Sequence, residues 1–513
     1  MFNHRMLSRV AIVPIIVSLG LISPAAAAAA DDSEKVTVNV DRPEGPATRD
    51  LAGVTWNTGD LSLVSPLKPA FVRTGAQLQD VSPREGVLEF DALFERVDTI
   101  LRVGSRPLIL LNHMPPWLAR PVPPDCQQDR RDQAPCPTTA MGPKDLDAWE
   151  ELIEEIVRGL AEHYDRDLAF ELWNEPNNPK SWADSEERFI ETAMAMHRAI
   201  ARVERETGLD MTVGGVALGE VSSLLGRYHD AAVQQGTPPD FISWHDYTRD
   251  PLDYRRDAAE VRDLIADPSM PLALTEWNHY GRKGDERNTA AGAAFNLASL
   301  IEMERADVSQ ATFYRSVSFG RKSSDAGLVT GKGRGTPRPT WWTLQLWRSL
   351  GGDRLLVSGD DPQGGLWARA TRDGDQVDVI LSSYAEAGAV NHDVALDLSG
   401  TCDASTATMR TIDAKSSGFN SRRNVDLDSL TVPMDGPAAV WVSVDCSGQE
   451  KATQIAPHPE APDLVDDSAK EDRPRWLVWA GVGLAALLLV TWVVGARRRA
   501  RKRALGSTGD PVS

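Results

Sequence analysis

Two glutamates stand where their side chains could act on one substrate. Glu175 lies in the segment Glu-Leu-Trp-Asn-Glu-Pro at 171–176, and Glu276 lies in Leu-Ala-Leu-Thr-Glu-Trp-Asn at 272–278. Each follows a short apolar run, where a barrel strand would deliver its side chains to an active site. Two carboxylates so placed are the groups that hydrolysis of a glycosidic bond requires. One donates a proton to the leaving oxygen, and the other attacks the anomeric carbon.

The two roles require different surroundings. A general acid needs a raised pKa so that it keeps its proton, whereas a nucleophile must stay ionised and accept hydrogen bonds. Alternation along the segment 240–247 places His245 and Tyr247 on one face of a strand. The Tyr247 hydroxyl and Arg73 are therefore candidates to hold the nucleophile. For Arg73, an ion pair that only stabilises the fold is an equal alternative. For His245, an equal alternative is a hydrogen-bonded position in the core.

Other polar and aromatic residues are candidates to bind the sugar. Asn174 directly precedes Glu175, and its amide is placed to bond a hydroxyl beside the scissile bond. His113 ends another apolar run. Trp277 follows Glu276, and its flat face suits stacking on the C–H face of a sugar. We expect about two of the tryptophans near the strand ends to contact substrate and the rest to be core; these tryptophans are Trp117, Trp173, Trp244 and Trp277.

The elements that would position these side chains form a repeating pattern. Eight short apolar runs read as strands, at 51–56, 70–74, 107–113, 168–175, 211–217, 241–247, 272–278 and 310–316. Helical patterns separate most of them, the best being an apolar stripe over 145–164. Alternation of this kind predicts an α/β fold, a closed (β/α)8 barrel. The alternative is a doubly wound open sheet, but the first run lacks the glycine-rich loop usual there.

After residue 350 the residue pattern changes from alternating strands and helices to short strands. Alternating segments flank the turn Arg-Asp-Gly-Asp at 372–375, which is a hairpin signal, and further strand patterns follow. We predict a small β-sandwich over 351–446, which a strand at 36–41 could join. Residues 447–475 are rich in Pro, Asp, Glu and Ala and predict a flexible stalk.

The two ends of the chain predict export and tethering. Residues 1–30 combine Arg5 and Arg9, an apolar run and an alanine-rich stretch, as in a secretory signal peptide. An uncleaved anchor is the alternative. Residues 476–496 carry no charge and are long enough to cross a bilayer. The basic tail 497–513 then places the C-terminus in the cytoplasm and the catalytic domain, 31–350, outside the cell.

Charge, cysteine content and motifs limit the partners, disulfides and metal sites that we expect. The chain has 513 residues and a net charge of −19, which argues against nucleic acid as a partner. Local pairing is the simplest disulfide framework for an exported chain: Cys126 with Cys136, and Cys402 with Cys446. There is no metal-binding motif of the Cys-x-x-Cys or His-Glu-x-x-His type. We expect neither a metal nor a cofactor.

The segments 171–177, 240–247 and 274–278 resemble the clan A (β/α)8 glycosidases. Within that clan the chain resembles glycoside hydrolase family 39, the family of β-xylosidases and α-L-iduronidases. The resemblance implies that Glu175, on the fourth strand, is the acid/base and that Glu276, on the seventh, is the nucleophile. It also implies a β-sandwich beside the barrel. The expanded loop at 126–141 and the C-terminal anchor depart from the family pattern, so the resemblance does not identify the sugar.

We therefore predict a membrane-tethered, retaining O-glycosyl hydrolase that acts on an extracellular or cell-envelope poly- or oligosaccharide. A non-catalytic, membrane-anchored glycan-binding protein is the first alternative, since it would keep the tryptophans but would not need both carboxylates. A transglycosylase is the second. It would use the same residues but pass the sugar to another sugar instead of water.

Overall fold

A computed structural model describes residues 34–447, except 128–134, 281–285, 319–325, 331–334, 387–389 and 420–421. The predicted signal peptide at 1–30, the span at 476–496, the tail at 497–513 and nearly all of the stalk lie outside these residues. Within the described ranges, none of the helices has the length and apolar character needed to cross a bilayer.

The centre of the fold is a closed barrel of eight parallel strands, as predicted. The open-sheet alternative is excluded, because the first barrel strand pairs with both the second and the last. In chain order the strands are β2 (Gly53–Thr55), β3 (Phe71–Gly75), β4 (Arg106–Leu111), β5 (Leu168–Leu172), β6 (Met211–Leu218), β7 (Phe241–Thr248), β8 (Leu272–His279) and β9 (Val308–Phe313).

Helices cover the outside of the barrel. They are α1 (Leu78–Val81), α2 (Asp91–Arg102), α3 (Leu146–Tyr164), α4 (Glu186–Thr207), α5 (Leu224–Gln235), α6 (Leu252–Ile265), α7 (Ala290–Arg305) and α8 (Pro339–Ser349). Helix α3 shows why they form: the Asp145 carboxylate caps its first turn, and its apolar stripe, from Trp149 to Leu160, is buried. Most of the buried apolar residues of the barrel belong to one continuous core.

The second domain is one curled sheet rather than two separate sheets. Its nine strands are β1 (Glu34–Pro46), β10 (Asp353–Ser358), β11 (Leu366–Asp373), β12 (Gln376–Ser383), β13 (Asn391–Ser399), β14 (Thr406–Ile412), β15 (Arg423–Asp426), β16 (Thr431–Asp435) and β17 (Ala438–Asp445). They pair without interruption in the order β15-β14-β17-β12-β11-β10-β1-β13-β16. The sandwich prediction was therefore wrong in its pairing: alternating residues of one sheet pack together as the inner core.

Both predicted disulfides are present. Cys126 and Cys136 close the loop after β4, and Cys402 and Cys446 link the segment before β14 to the end of β17. Strand β1, which precedes the barrel in the chain, lies between β10 and β13. The sheet therefore joins the segment that precedes the barrel in the sequence to the segment that follows it.

Candidate active site

The two glutamates lie at the carboxyl end of the barrel on different supports. Glu276 is part of strand β8 and is buried. Glu175 was predicted to end the fourth strand of the barrel, which is β5. This prediction was wrong, because β5 ends at Leu172 and Glu175 lies in the loop beyond it. Its backbone has a positive φ of 46°. The Glu175 amide donates to the carbonyl of Ala217 at 2.9 Å, so the end of β6 fixes this loop.

The side chains of Glu175 and Glu276 converge on His245. One ligand atom from each of the three residues lies within 4.8 Å of the others. His245 Nδ1 is 3.1 Å from Glu175 Oε1 and 3.8 Å from Glu276 Oε2. Enzymes that retain anomeric configuration place their two carboxyl groups about 5–5.5 Å apart, and inverting enzymes leave room for a water, about 6.5–9.5 Å. The arrangement has the closer spacing.

Both carboxylate oxygens of Glu276 accept hydrogen bonds. Arg73 Nη1 donates to Oε1 at 2.7 Å, and the Tyr247 hydroxyl donates to Oε2 at 2.6 Å. Burial opposes the charge of Arg73, but the carboxylates of Glu171 and Glu276 outweigh it and raise its pKa. Burial and the Glu276 charge also raise the pKa of Tyr247 well above its usual value. Both groups therefore keep their protons and act as donors.

The surroundings of Glu175 favour its ionised form. Burial acts to raise its pKa, but hydrogen bonds from His245 and Asn178 and the charge of Arg73 outweigh burial and lower it. Asn178 Nδ2 donates to Oε2 at 2.8 Å, opposite the contact of His245 with Oε1. The expectation of a raised pKa for the acid is therefore not met. The physical cause is that donors face both of its oxygens.

Arg73 joins the site to the barrel interior. Its Nε donates to Glu171 Oε2 at 2.5 Å, and its Nη2 donates to Asn174 Oδ1 at 2.9 Å. Because Oδ1 of Asn174 is the acceptor, its Nδ2 is left as the donor available to a sugar hydroxyl. Glu171 Oε1 in turn accepts from the Ser243 hydroxyl at 2.7 Å. Asn174 and Arg73 thus belong to one hydrogen-bonded group.

His113 lies two residues beyond the end of β4, on the same side of the barrel. Its amide donates to Gln79 Oε1, and its Nε2 contacts the Asn112 side chain at 3.3 Å. The ring packs edge-on against Trp173. Burial lowers the pKa of His113. These contacts fix a neutral imidazole at the carboxyl end of the barrel, and among the described contacts none is a hydrogen bond to Glu175 or Glu276.

Trp277 is not available to a sugar. Its side chain is fully buried and packs edge-on against Tyr254 and Phe313, behind the barrel wall. The prediction of substrate stacking by Trp277 was wrong, because alternation along β8 turns it away from the face that carries Glu276. Trp173 and Trp244 are buried as well. Trp117 is half-buried, and its indole N–H donates to the carbonyl of Ser82.

Three residues of the site were not identified from the sequence. Glu171 carried a usable signal, because a glutamate inside the short apolar strand 168–172 must be paired when buried. Ser243 and Asn178 carried none. Serine on a strand and asparagine in a turn are common, and only the folded arrangement brings them to the glutamates.

The cluster of Glu175, His245 and Glu276 also offers donor atoms close enough together for a metal ion. Arg73 already places a positive charge 2.7 Å from Glu276. The tyrosine and guanidinium donors give Glu276 the fixed orientation that attack on a sugar carbon requires. The geometry therefore fits two-carboxylate chemistry without a metal.

Two known proteins with similar sequences are β-xylosidases. The chain is 23% identical over 408 residues to a β-xylosidase of Caldicellulosiruptor saccharolyticus, covering 74% of this chain and 76% of that protein. It is 26% identical over 309 residues to a β-xylosidase of Geobacillus stearothermophilus, covering 52% of this chain and 56% of that protein.

Solved structures share the fold. A GH39 enzyme from Xanthomonas axonopodis pv. citri superposes with a TM-score of 0.62 at 17% identity, covering 83% of this chain and 100% of that one. A monomeric β-xylosidase from Caulobacter crescentus gives 0.62 at 17% identity, covering 80% and 99%. The sequence profile described as Glycosyl hydrolases family 39 matches residues 76–361. This match spans more than half of the chain, which therefore belongs to glycosyl hydrolase family 39.

Proposed function

We propose that the protein is a retaining glycoside hydrolase in which Glu276 is the nucleophile and Glu175 is the acid/base. The observation that carries the proposal is the convergence of these two side chains, with carboxylate oxygens within 4.8 Å of each other at the mouth of the barrel. This spacing is closer to the about 5–5.5 Å of retaining enzymes than to the about 6.5–9.5 Å of inverting ones, which favours attack by the enzyme itself on the sugar.

The proposed reaction has two steps. Glu276 attacks the anomeric carbon while Glu175 gives its proton to the departing oxygen, which leaves a glycosyl ester on Glu276. Glu175, now ionised, takes a proton from water as that water attacks the same carbon and releases Glu276. Tyr247 and Arg73 orient Glu276 through their hydrogen bonds, and Asn174 Nδ2 is placed to donate to a sugar hydroxyl.

Since Glu175 favours ionisation in the free enzyme, the first step needs a change at its carboxylate. A leaving oxygen that enters between Glu175 and its donors would replace one of the two hydrogen bonds. Loss of one donor would raise the pKa of Glu175, because burial already acts in that direction. Substrate binding itself would then prepare the acid.

We propose β-xylosides as the substrate class, because the similar proteins are β-xylosidases. We also propose export and a single C-terminal anchor. Both rest on the apolar and basic segments at 1–30, 476–496 and 497–513. Protein truncated after residue 475 should be released into the medium, whereas the full chain should sediment with membranes. Equal release of both forms would overturn the anchor.

Two substitutions test the chemistry. Glu276→Gln should abolish turnover of aryl β-xylosides, with a loss of at least about 10⁴-fold, because no bond to the sugar can form. Glu175→Ala should spare substrates with good leaving groups, which do not need a proton. Added azide should then accelerate the Glu175→Ala variant and yield a glycosyl azide, because azide needs no general base. Unchanged activity of both variants on every substrate would refute the assignment.

Mass spectrometry after incubation with a 2-fluoro xylosyl donor separates the remaining alternatives. The proposal requires one covalent sugar on Glu276 in the wild-type protein and none in Glu276→Gln. A glycan-binding barrel would form no adduct. A transglycosylase would form the adduct but release it mainly to an added sugar acceptor, which analysis of the products would show.

A further inference from the structure

Arg73 is held from three sides inside the barrel. It is 2% exposed, and its Nε, Nη1 and Nη2 donate to Glu171, Glu276 and Asn174. A guanidinium is planar and rigid, so its three contacts cannot move independently. The position of Glu171 therefore affects the position of Glu276.

Glu171 is itself fixed by Ser243. The Glu171 side chain is fully buried, and Ser243 donates to its Oε1 at 2.7 Å. Ser243 is fully buried as well, and its oxygen accepts from the amide of Ala217 at 3.0 Å. The serine hydroxyl thus donates to a carboxylate and accepts from the backbone, and β5, β6 and β7 meet at this one group.

The same stretch of β6 holds the acid/base. The carbonyl of Ala217 accepts from the amide of Glu175 at 2.9 Å. Ala217 and Glu175 both have a positive φ, 45° and 46°, which is an unfavourable conformation for residues other than glycine. Surrounding contacts must maintain it. The Ser243 bond to the Ala217 amide is one such contact.

We propose that Ser243 and Glu171 are positioning residues that set the two catalytic glutamates relative to each other. This inference rests on the roles proposed for Glu175 and Glu276. The connection runs from Glu276 through Arg73 and Glu171 to Ser243, and from there through the backbone of Ala217 to Glu175. Neither Ser243 nor Glu171 touches the reacting atoms in the proposed mechanism.

The two residues act on different halves of the site. Loss of the Ser243 hydroxyl frees the Ala217 amide and moves the loop that carries Glu175, so protonation of the leaving group suffers first. Replacement of Glu171 by glutamine removes the anion that fixes Arg73, so the orientation of Glu276 suffers directly. The structure therefore predicts different kinetic defects for Ser243→Ala and Glu171→Gln.

The experiment compares aryl β-xylosides whose leaving groups differ in acidity. In Ser243→Ala the kcat/KM ratio between a dinitrophenyl and a phenyl xyloside should rise about tenfold over wild type, because only the phenyl substrate needs the proton. The rate of adduct formation with a 2-fluoro dinitrophenyl donor should fall less than kcat/KM for the phenyl xyloside, because that step bypasses the acid and Arg73 still donates to Glu171 and Glu276. In Glu171→Gln the adduct should form about tenfold more slowly.

Two further variants distinguish positioning from general damage. Ser243→Thr keeps the hydroxyl and should restore the wild-type ratio. Thr275→Val removes another buried strand hydroxyl, adjacent to Glu276 in sequence but outside this connection, and should leave the ratio unchanged. Thermal unfolding and the titre of sites that form adduct identify any variant that is merely misfolded.

The outcomes separate this inference from the proposed function. A wild-type protein that neither turns over xylosides nor forms the adduct would refute the proposed function as a β-xyloside hydrolase. A wild-type protein that does both, combined with a Ser243→Ala variant whose ratio is unchanged, would refute the positioning role alone. An equal loss for all leaving groups at full adduct titre would also refute it.

Discussion

The hydrogen bonds of Glu175 raise a mechanistic question at the scale of single residues. The proposed acid must hold a proton before it can give one up, yet donors face both oxygens of Glu175. An ionised carboxylate can only accept hydrogen bonds, so in the contact with ionised Glu175 the His245 Nδ1 is the donor. The contact therefore stabilises the carboxylate, and its removal should have a measurable effect on pH dependence.

We expect His245→Phe to move the alkaline limb of kcat/KM to higher pH. In the proposed mechanism, that limb reports loss of the Glu175 proton in the free enzyme. Burial alone raises the pKa of Glu175, and the His245 hydrogen bond is the largest effect that lowers it. Without this bond Glu175 keeps its proton to higher pH. The measurement is a pH–rate profile with a phenyl xyloside, which depends on the acid.

Asn178→Ala is the graded comparison for the histidine variant. Its hydrogen bond lowers the same pKa, but less than the contact with His245 does. In Asn178→Ala the alkaline limb of kcat/KM should also move to higher pH, but by less than in His245→Phe. A limb that stays in place in both variants, or that moves to lower pH, would show that Glu175 does not set it.

At the scale of elements, the two faces of strand β7 carry titratable residues in different surroundings. His245 and Tyr247 face the site, while Asp246 between them pairs in register with Trp277 on the outer side. Asp246 Oδ2 is buried and has no hydrogen-bond partner among the described residues. Burial, and then repulsion from Asp257 on α6, raise the pKa of Asp246 to about 7.

We expect Asp246 to make the fold less stable as pH rises. Its pKa is about 7 in the folded chain, against an ordinary value of 3.8. Between these values the folded state binds more protons than the unfolded state, so the free energy of unfolding falls with increasing pH. Asp246→Asn should flatten this fall between about pH 4 and about pH 7. Urea unfolding at several pH values measures it.

The exposed Asp263, also on α6, provides the matched control for Asp246. Asp263→Asn removes an exposed carboxylate from the same helix, so its slope of unfolding free energy against pH is the reference for Asp246→Asn. Some slope should remain in Asp246→Asn, because burial also raises the pKa of Asp257, to about 6. Identical slopes in Asp246→Asn and the wild type would contradict the assignment.

The sequence predicts those elements that follow from local residue patterns, but not those that depend on contacts between residues far apart in the chain. The eight barrel strands follow from local apolar runs, and the observed bounds differ from the predicted ones by a few residues. The outward direction of Trp277 was available from alternation with Glu276. The contact of Ser243 with Glu171 was not, because it joins residues 72 positions apart on non-adjacent strands. Likewise, the curled sheet depends on pairing β1 with β10 and β13, which no local pattern specifies.

At the scale of the whole molecule, helix α7 lies between the barrel and the sheet. It is buried on nearly all sides, and its small alanines allow close packing. The sheet reaches it through polar contacts: Trp367 donates to Glu302 at 3.0 Å, and Ser382 donates to the carbonyl of Ala294 at 2.7 Å. Next to these, Arg369 and Glu304 form a buried ion pair. The two domains should therefore unfold together in one calorimetric transition.

Removing one partner of this pair tests the coupling of the domains. Arg369 donates from Nε and Nη2 to both oxygens of Glu304, at 2.7 and 3.0 Å, and both side chains are at most 5% exposed. Glu304→Ala leaves a buried guanidinium unpaired and should lower the free energy of unfolding by about 3–5 kcal/mol. The double replacement of both residues by methionine removes the charge as well, so it should be more stable than Glu304→Ala. The exposed pair of Lys35 and Asp397 is the control, and Asp397→Ala should cost at most about 1 kcal/mol. A cost for Glu304→Ala as small as that of the control would show that this contact does not couple the sheet to the barrel.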